Sequence, residues 1–192
     1  MNVSGLIDDF RSSLSPEENE VMEVFISKMK KNKYSKGEQL HRAGKVCNVL
    51  HYITKGIIRT YYYKDEKDIS VYFTQEGEMV TAIDSFIQQK PSKYNIETLE
   101  DTTTYSITFD ELESMYEDHP SFERFTRIIM MQAYIDLVER AESIQLHSAM
   151  ERYQLLTERD PLLLERVNLK HIATFLGISP ETLSRVRSNG ST

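Results

Sequence analysis

Cysteine is all but missing from this chain of 192 residues, in which Cys47 stands alone. One thiol excludes an internal disulfide and any all-cysteine metal or iron–sulfur site, and Cys47 reads most simply as a small core residue. Long apolar runs are missing as well, since none approaches the roughly 20 residues that cross a bilayer. The first residues, MNVSGLIDDF, lack the basic and apolar regions of a secretion signal, so a cytoplasmic location with no membrane partner is expected. The five histidines, at 41, 51, 119, 147 and 171, never fall at His-x-x-His or His-Glu-x-x-His spacing. No glycine-rich phosphate loop precedes a helix, and no nucleophile stands beside a base. The carboxylates lie mainly in surface runs such as Asp8-Asp9 and Glu17-Glu18. Neither an enzyme nor a metal or cofactor is therefore expected. An excess of basic charge is also lacking: 23 Lys and Arg face 30 Asp and Glu, a net charge of -7. That balance argues against a protein that coats nucleic acid non-specifically. The deficit is uneven, because residues 150–192 hold six basic against five acidic side chains, leaving 17 against 25 for the rest. Any contact of this chain with DNA would have to be local and oriented through its tail.

What is present falls into a clear order. Ser15, Pro16 and Glu18 form a capping box with proline at the first helical position, and Val21, Phe25 and Met29 continue at helical spacing, so a helix is predicted over about 15–30. From Tyr34 the period changes. Glycines at 37, 44, 56 and 77 punctuate short segments rich in Val, Ile, Tyr and Thr, the pattern of an antiparallel all-β unit. Val49–Ile53 and Ile57–Tyr63 read as adjacent strands about Lys55-Gly56, with Ile57, Arg59, Tyr61 and Tyr63 on one face and Ile58, Thr60 and Tyr62 on the other. Ile69, Val71 and Phe73 repeat the alternation, and residues 94–99 and 103–107 resume it. Thr108 with Glu111 makes a second capping box, opening a short helix through Tyr116.

The longest helical pattern runs from Phe122 to about Leu146. Its apolar residues cover more than the one stripe a single buried face requires, so part of the helix should pack on the β unit and the rest on a symmetry-related copy. Phe125, Ile128, Ile135 and Val138 are the expected dimer-helix residues. Beyond a boundary near 147, helical segments at about 150–157 and 162–166 lead to NLKHIATFLGISPETLSRVRS, residues 168–188. There Leu169, Ile172, Ala173 and Leu176 should pack one helix face, Gly177 should turn the chain, and Ser179-Pro180 should open a second helix. With Leu183 and Val186 inward, Glu181, Thr182, Ser184, Arg185, Arg187 and Ser188 are left for solvent or a partner. That is the pattern of a helix-turn-helix with an exposed recognition helix.

The whole chain resembles the family of bacterial regulators named for the cAMP receptor protein and the fumarate–nitrate regulator. The resemblance rests on Lys36-Gly37-Glu38, Leu40, Gly44, Val49-Leu50, Ile53, Lys55-Gly56 and Ile58-Arg59, and on LKHIATFLGISPETLSRVRS in the tail. It implies an α+β chain: an N-terminal cyclic-nucleotide-binding-like antiparallel β-roll over residues 1–118, a long dimerisation helix over 119–147, and a helix-turn-helix DNA-binding domain over 148–192 that stops before a wing. It further implies base reading by Glu181 and Arg185, since arginine can pair with guanine O6 and N7 and a carboxylate can accept from cytosine N4. Ser179 and Thr182 would meet phosphates, with Arg187 and Lys170 auxiliary. Its expected partners are a palindromic double-stranded operator, a second copy, RNA polymerase and a small-molecule effector of unidentified chemistry.

The ligand pocket departs from the family's pattern. Gly77-Glu78 remains, but PSKYNIETLE puts Ser92 near the phosphate arginine and Asn95 near the following hydroxyl position. Without a cation there a phosphate would be poorly compensated, and strand alternation points Lys93 elsewhere, so cAMP or cGMP sensing is not expected. Pro180 stands where a base-reading arginine is often found, so part of the usual specificity is absent or falls to Arg187. Two other functions stay open on these residues: a ligand- or protein-binding roll whose tail does not read DNA, and a cyclic-nucleotide-responsive activator.

Overall fold

The computed structural model describes residues 15–189, so the Asp8-Asp9 pair and the chain end on which the expectation of a missing wing rests lie outside the described residues. Helix α1, Pro16–Lys28, begins at the predicted capping box, with Ser15 and Glu18 each accepting the other's backbone N–H. It ends earlier than the sequence suggests. Met29 leaves the helix, and Lys30–Tyr34 is strand β1, which pairs antiparallel with β8 from Lys30↔Ser106 to Tyr34↔Thr102. The strands that follow are β2 (Gln39–His41), β3 (Val49–Lys55), β4 (Ile58–Lys64), β5 (Lys67–Thr74) and β6 (Met79–Val80). Helix α2 (Ile83–Gln88), strands β7 (Asn95–Thr98) and β8 (Thr102–Thr108) and helix α3 (Phe109–Asp118) complete this part. The capping box of Thr108 and Glu111 opens α3 as expected, and the hydrogen bonds from Thr108 hold the Glu111 carboxyl well below its ordinary range.

Two four-stranded antiparallel sheets result, ordered β1-β8-β3-β6 and β2-β7-β4-β5. This corrects the reading of β3 and β4 as adjacent strands. β3 pairs with β8 and β6, β4 pairs with β7, and the chain changes sheet at Gly56. The reason is local: Gly56 has φ +105, and a Cβ there would lie 2.4 Å from Thr102 Oγ1 and 2.9 Å from its Cα. Only glycine accepts both the conformation and the contact. Both faces of β4 are buried, Ile58 and Thr60 on one side and Arg59 and Tyr61 on the other. The covered guanidinium of Arg59 is held by Glu97 at 3.0 Å and lies over the Tyr61 ring. On β5 the more buried residues are Ser70 and Thr74, not the apolar row Ile69, Val71 and Phe73.

Three helices and a terminal pair follow: α4 (Phe122–Leu146), α5 (Ala149–Arg159), α6 (Pro161–Arg166), α7 (Leu169–Phe175) and α8 (Pro180–Asn189). Within the described residues the chain forms two compact units, one with residues up to Tyr62 and Phe73–Met130, the other with Tyr63–Tyr72 and residues from Met131 on. The core of the first joins Val21, Met22 and Phe25 of α1 to Phe86, Ile107, Leu112, Met115, Phe122 and Phe125. Phe125 is only 4% exposed there, against Phe25 and Phe122, so it is a core residue of its own chain and not a dimer contact as the sequence suggested. In the second unit Leu156, Leu163, Val167, Ile172, Ala173, Leu176, Leu183 and Val186 are buried.

Candidate nucleic-acid interface and β-roll interior

The terminal pair is built by local chemistry. Asn168 caps α7 by accepting the Lys170 N–H at 2.9 Å. At its other end the Gly177 N–H reaches Thr174 O and the Ile178 N–H reaches Ala173 O at 3.0 Å. With Gly177 at φ +68 this is the paired closure that ends a helix through a left-handed residue. Ser179 then accepts the Thr182 N–H through its side chain and the Leu183 N–H through its carbonyl, starting α8 with Pro180 in its first turn.

Leu183 and Val186 turn α8 inward at 1% and 7% exposure, so the face carrying Glu181, Ser184, Arg185 and Ser188 is exposed. Glu181 and Arg185 are one turn apart on that face. Hydrogen bonding from Ser179 lowers the Glu181 carboxyl, with its own backbone and the charges of Arg185 and Lys67 adding to the effect, so it is an acceptor at neutral pH. Ser179 is exposed but spends its oxygen on the cap, with the Thr182 hydroxyl 3.2 Å away. Arg187 is exposed, and Lys170 lies 3.9 Å from Asp68. Leu169, expected inward, is 38% exposed.

The residues flagged for a ligand pocket are held by different partners. Gly77 and Glu78 form the turn between β5 and β6, where their backbones bond Ile53 and the Glu78 carboxylate accepts from Gln75. Ser92 and Asn95 instead hold the turn at 43–45. Asn95 Oδ1 accepts the Ala43 N–H at 3.0 Å, and the Ser92 backbone bonds both Gly44 and Lys45. The Ser92 hydroxyl donates to the Asp84 carboxylate, placing an acid where a phosphate would want a cation. Lys93 lies over the rings of Tyr62 and Tyr94 at 5.6 and 5.2 Å.

A cavity of about 110 Å³, lined by Leu40, His41, Val46, Cys47, His51 and Ile96 among others, contains none of the four flagged residues. It is smaller than the roughly 300–1,000 Å³ of ordinary small-molecule sites. Its walls carry no cation at neutral pH. Burial lowers His41, with Asp84 partly opposing, and burial alone pushes His51 down to about 4. Cys47 is buried, as expected, with its N–H on Ser85 Oγ at 2.7 Å. Among the described residues no three His, Cys, Asp or Glu side chains are grouped to hold a metal, and no helix is long and apolar enough to cross a membrane.

Two antiparallel sheets, a long helix and a helix-turn-helix define the class of a β-roll joined to a helix-turn-helix unit. By sequence, residues 31–119 match the family described as "Cyclic nucleotide-binding domain". No curated protein sequence matches the chain. Among solved structures it is similar to CLP of Xanthomonas campestris, described as a c-di-GMP responsive global regulator, with 16% identity, 90% of this chain and 91% of that one covered, and a TM-score of 0.73. It is similar also to FixK2 of Bradyrhizobium japonicum, at 17% identity, 84% and 83% coverage and a TM-score of 0.70. A third, from Eubacterium rectale and described as of the crp/fnr family, gives 20% identity, 91% and 82% coverage and a TM-score of 0.65. The architecture is that of the Crp/Fnr regulators, as the sequence resemblance implied.

Proposed function

We propose that this protein is a dimeric, sequence-specific DNA-binding transcription regulator of the Crp/Fnr type, acting in the cytoplasm. The observation that carries the reading is the exposed Glu181/Arg185 face of α8, supported from behind by the buried Leu183 and Val186. A helix held this way can enter a major groove with a bidentate donor and an acceptor presented to base edges, while Thr182, Arg187 and the exposed end of Lys170 are available for phosphates. Sensing is assigned to residues 1–118, dimerisation to 119–147 and base reading to 148–192.

Dimerisation is supported by α4. Met130, Tyr134, Leu137 and Ile144 are exposed by 47–67% and, with Ala141 between the last two, repeat at spacings of four and three, the period of a two-helix seam. Met131, Ile135 and Val138 flank them, also exposed. Two half-site contacts linked by that seam would act together on a palindromic operator. A cyclic nucleotide is not the proposed effector, because Ser92 supplies no cation and its hydroxyl is committed to Asp84.

Selection of bound duplexes from a random pool by the purified protein, at stated salt, tests the reading. A two-fold-related motif supports it. No enrichment at low salt refutes it and favours a roll that binds a ligand or protein and does not read DNA.

A further inference from the structure

Two arginines close the end of α7. The carbonyls of Ile172, Ala173 and Thr174 accept the backbone N–H groups of Leu176, Ile178 and Gly177. For the next two carbonyls the chain offers no further helical N–H, since Gly177 is left-handed at φ +68 and turns it out of the helix. Phe175 O accepts instead from Arg140 Nη2 of α4 at 3.1 Å, and Leu176 O from Arg152 Nε of α5 at 3.0 Å. Arg140 is fixed further by the Phe175 ring, whose centre lies 3.9 Å from its guanidinium carbon. Burial lowers Arg140 only to about 10, so it is a cation at neutral pH, the charge that the negative end of a helix favours.

Arg152 does more than cap one helix. Its Nη1 donates to His147 O at 2.6 Å and reaches Ile144 O at 3.5 Å, both at the end of α4. One planar guanidinium therefore spans two helix ends: that of α4, which carries the proposed dimer seam, and that of α7, from which only Gly177, Ile178 and Ser179 lead on to α8. The fork is rigid, so the donors facing His147 and Leu176 cannot move independently. Arg140, projecting from α4 itself, holds the neighbouring carbonyl. Two points of attachment, unlike one, resist rotation of α7 against α4.

From this geometry we infer that Arg152, assisted by Arg140, is a positioning residue that sets the half-site spacing of the operator, by holding the reading face of α8 at a fixed place relative to the α4 seam. The inference rests on the dimeric DNA-reading function proposed above and adds what fixes the distance between its two reading heads. One extra base pair of spacer moves a half-site by about 3.4 Å along the duplex and turns it by about 35° around the axis. A braced α8 cannot follow that step at both half-sites, so base contacts are forfeited at one of them. An α8 freed from α4 follows it. The two arginines touch no base; they act through the placement of Glu181 and Arg185.

Competition binding of the full-length protein at fixed salt, on the selected operator and on versions with the spacer lengthened or shortened by one base pair, tests the role. Arg152→Met keeps the apolar stem and removes the donors, and Arg152→Lys, the milder change, keeps the charge and loses the fork. Half-site preference is read beside this from single-base variants of the operator. Wild type should bind the altered spacings about tenfold or more weakly than its own. Both variants should bind all the spacings within about threefold of one another while keeping the wild-type base preference, an outcome that a merely stabilising residue would not give. Spacing discrimination as sharp as wild type in both variants, or loss of base preference together with affinity, overturns the role of Arg152 and leaves DNA reading intact. A wild type that binds no duplex at low salt, or binds every spacing equally, overturns the dimeric reading and this inference with it.

Discussion

Truncating Leu137 on α4 and truncating Phe125 three turns earlier should have opposite consequences. Leu137 is 48% exposed in the single chain, so about half its side chain is available to a second copy. Burying that half contributes about 1 kcal/mol per protomer, and the gap left by alanine adds a few tenths. Both copies lose it, so Leu137→Ala should cost about 2–3 kcal/mol of association, a roughly 30- to 150-fold rise in the dimer dissociation constant. Phe125 is 4% exposed within its own core. Phe125→Ala should therefore cost about 3–5 kcal/mol of folding stability while the folded fraction dimerises as before. Sedimentation equilibrium gives the first quantity, and urea unfolding at one fixed protomer concentration gives the second, since dimer stability depends on concentration. A wild-type monomer at tens of micromolar would refute the seam. So would a Leu137→Ala protein that associates normally, or a Phe125→Ala protein that keeps its stability and loses its partner.

Three further outcomes follow from the roll. Calorimetric titration with cAMP or cGMP should show no saturable binding at micromolar concentrations, and tight binding would mean that the Asp84–Ser92 pair rearranges to admit a phosphate. His51 stays neutral in the folded state down to about 4 while its unfolded value is near 6.5, so as pH falls through that window the unfolded chain gains the proton first. Stability should drop by up to about 1.4 kcal/mol per pH unit there, on top of other groups, and His51→Gln should flatten that limb in urea melts taken from pH 7 to 4.5. An unchanged slope in the variant would refute the assignment. Gly56→Ala should destabilise by about 1–3 kcal/mol or more, because the new Cβ meets Thr102 in a left-handed conformation; a thermal midpoint equal to wild type would contradict the sheet change at that residue.

The helix-turn-helix was legible because every signal in it is local: a serine cap, a proline in the first turn, a glycine at the closure and apolar residues three and four apart. The capping boxes at Ser15 and Thr108 were legible for the same reason. A third, Ser148 with Glu151, opens α5 and carried the same spacing unread. Strand β1 could not be seen in KKNKY, whose exposed lysines give no alternation and which exists by pairing with β8 more than 60 positions away. The sheet change at Gly56 was hidden likewise, because two consecutive strands read the same whether or not they pair. On α4 the apolar residues surround the helix, so the sequence marked Phe125 and Ile135 alike, and only the core of α1 and α3 decides that the first faces inward. Ser92 and Asn95 were singled out as a failed phosphate site; their hydrogen bonds to Asp84 and to the 43–45 turn explain what those side chains do instead. The bonds of Arg152 to both helix ends left no mark in the sequence at all.

The central claim is that Arg185 reads a base. Competition binding at fixed salt, with wild type, Arg185→Ala, Arg185→Lys and Lys170→Ala on the selected operator and on its single-base variants, tests it most directly. Arg185→Ala should weaken the operator by about 1–3 kcal/mol and flatten preference at one position in each half-site, and lysine should not restore it, because it keeps the charge and loses the rigid fork. Lys170→Ala should leave base preference unchanged, since a phosphate contact carries no sequence information. Equal losses for Arg185→Ala on the operator and on scrambled duplexes would contradict the claim and reduce α8 to a general electrostatic anchor.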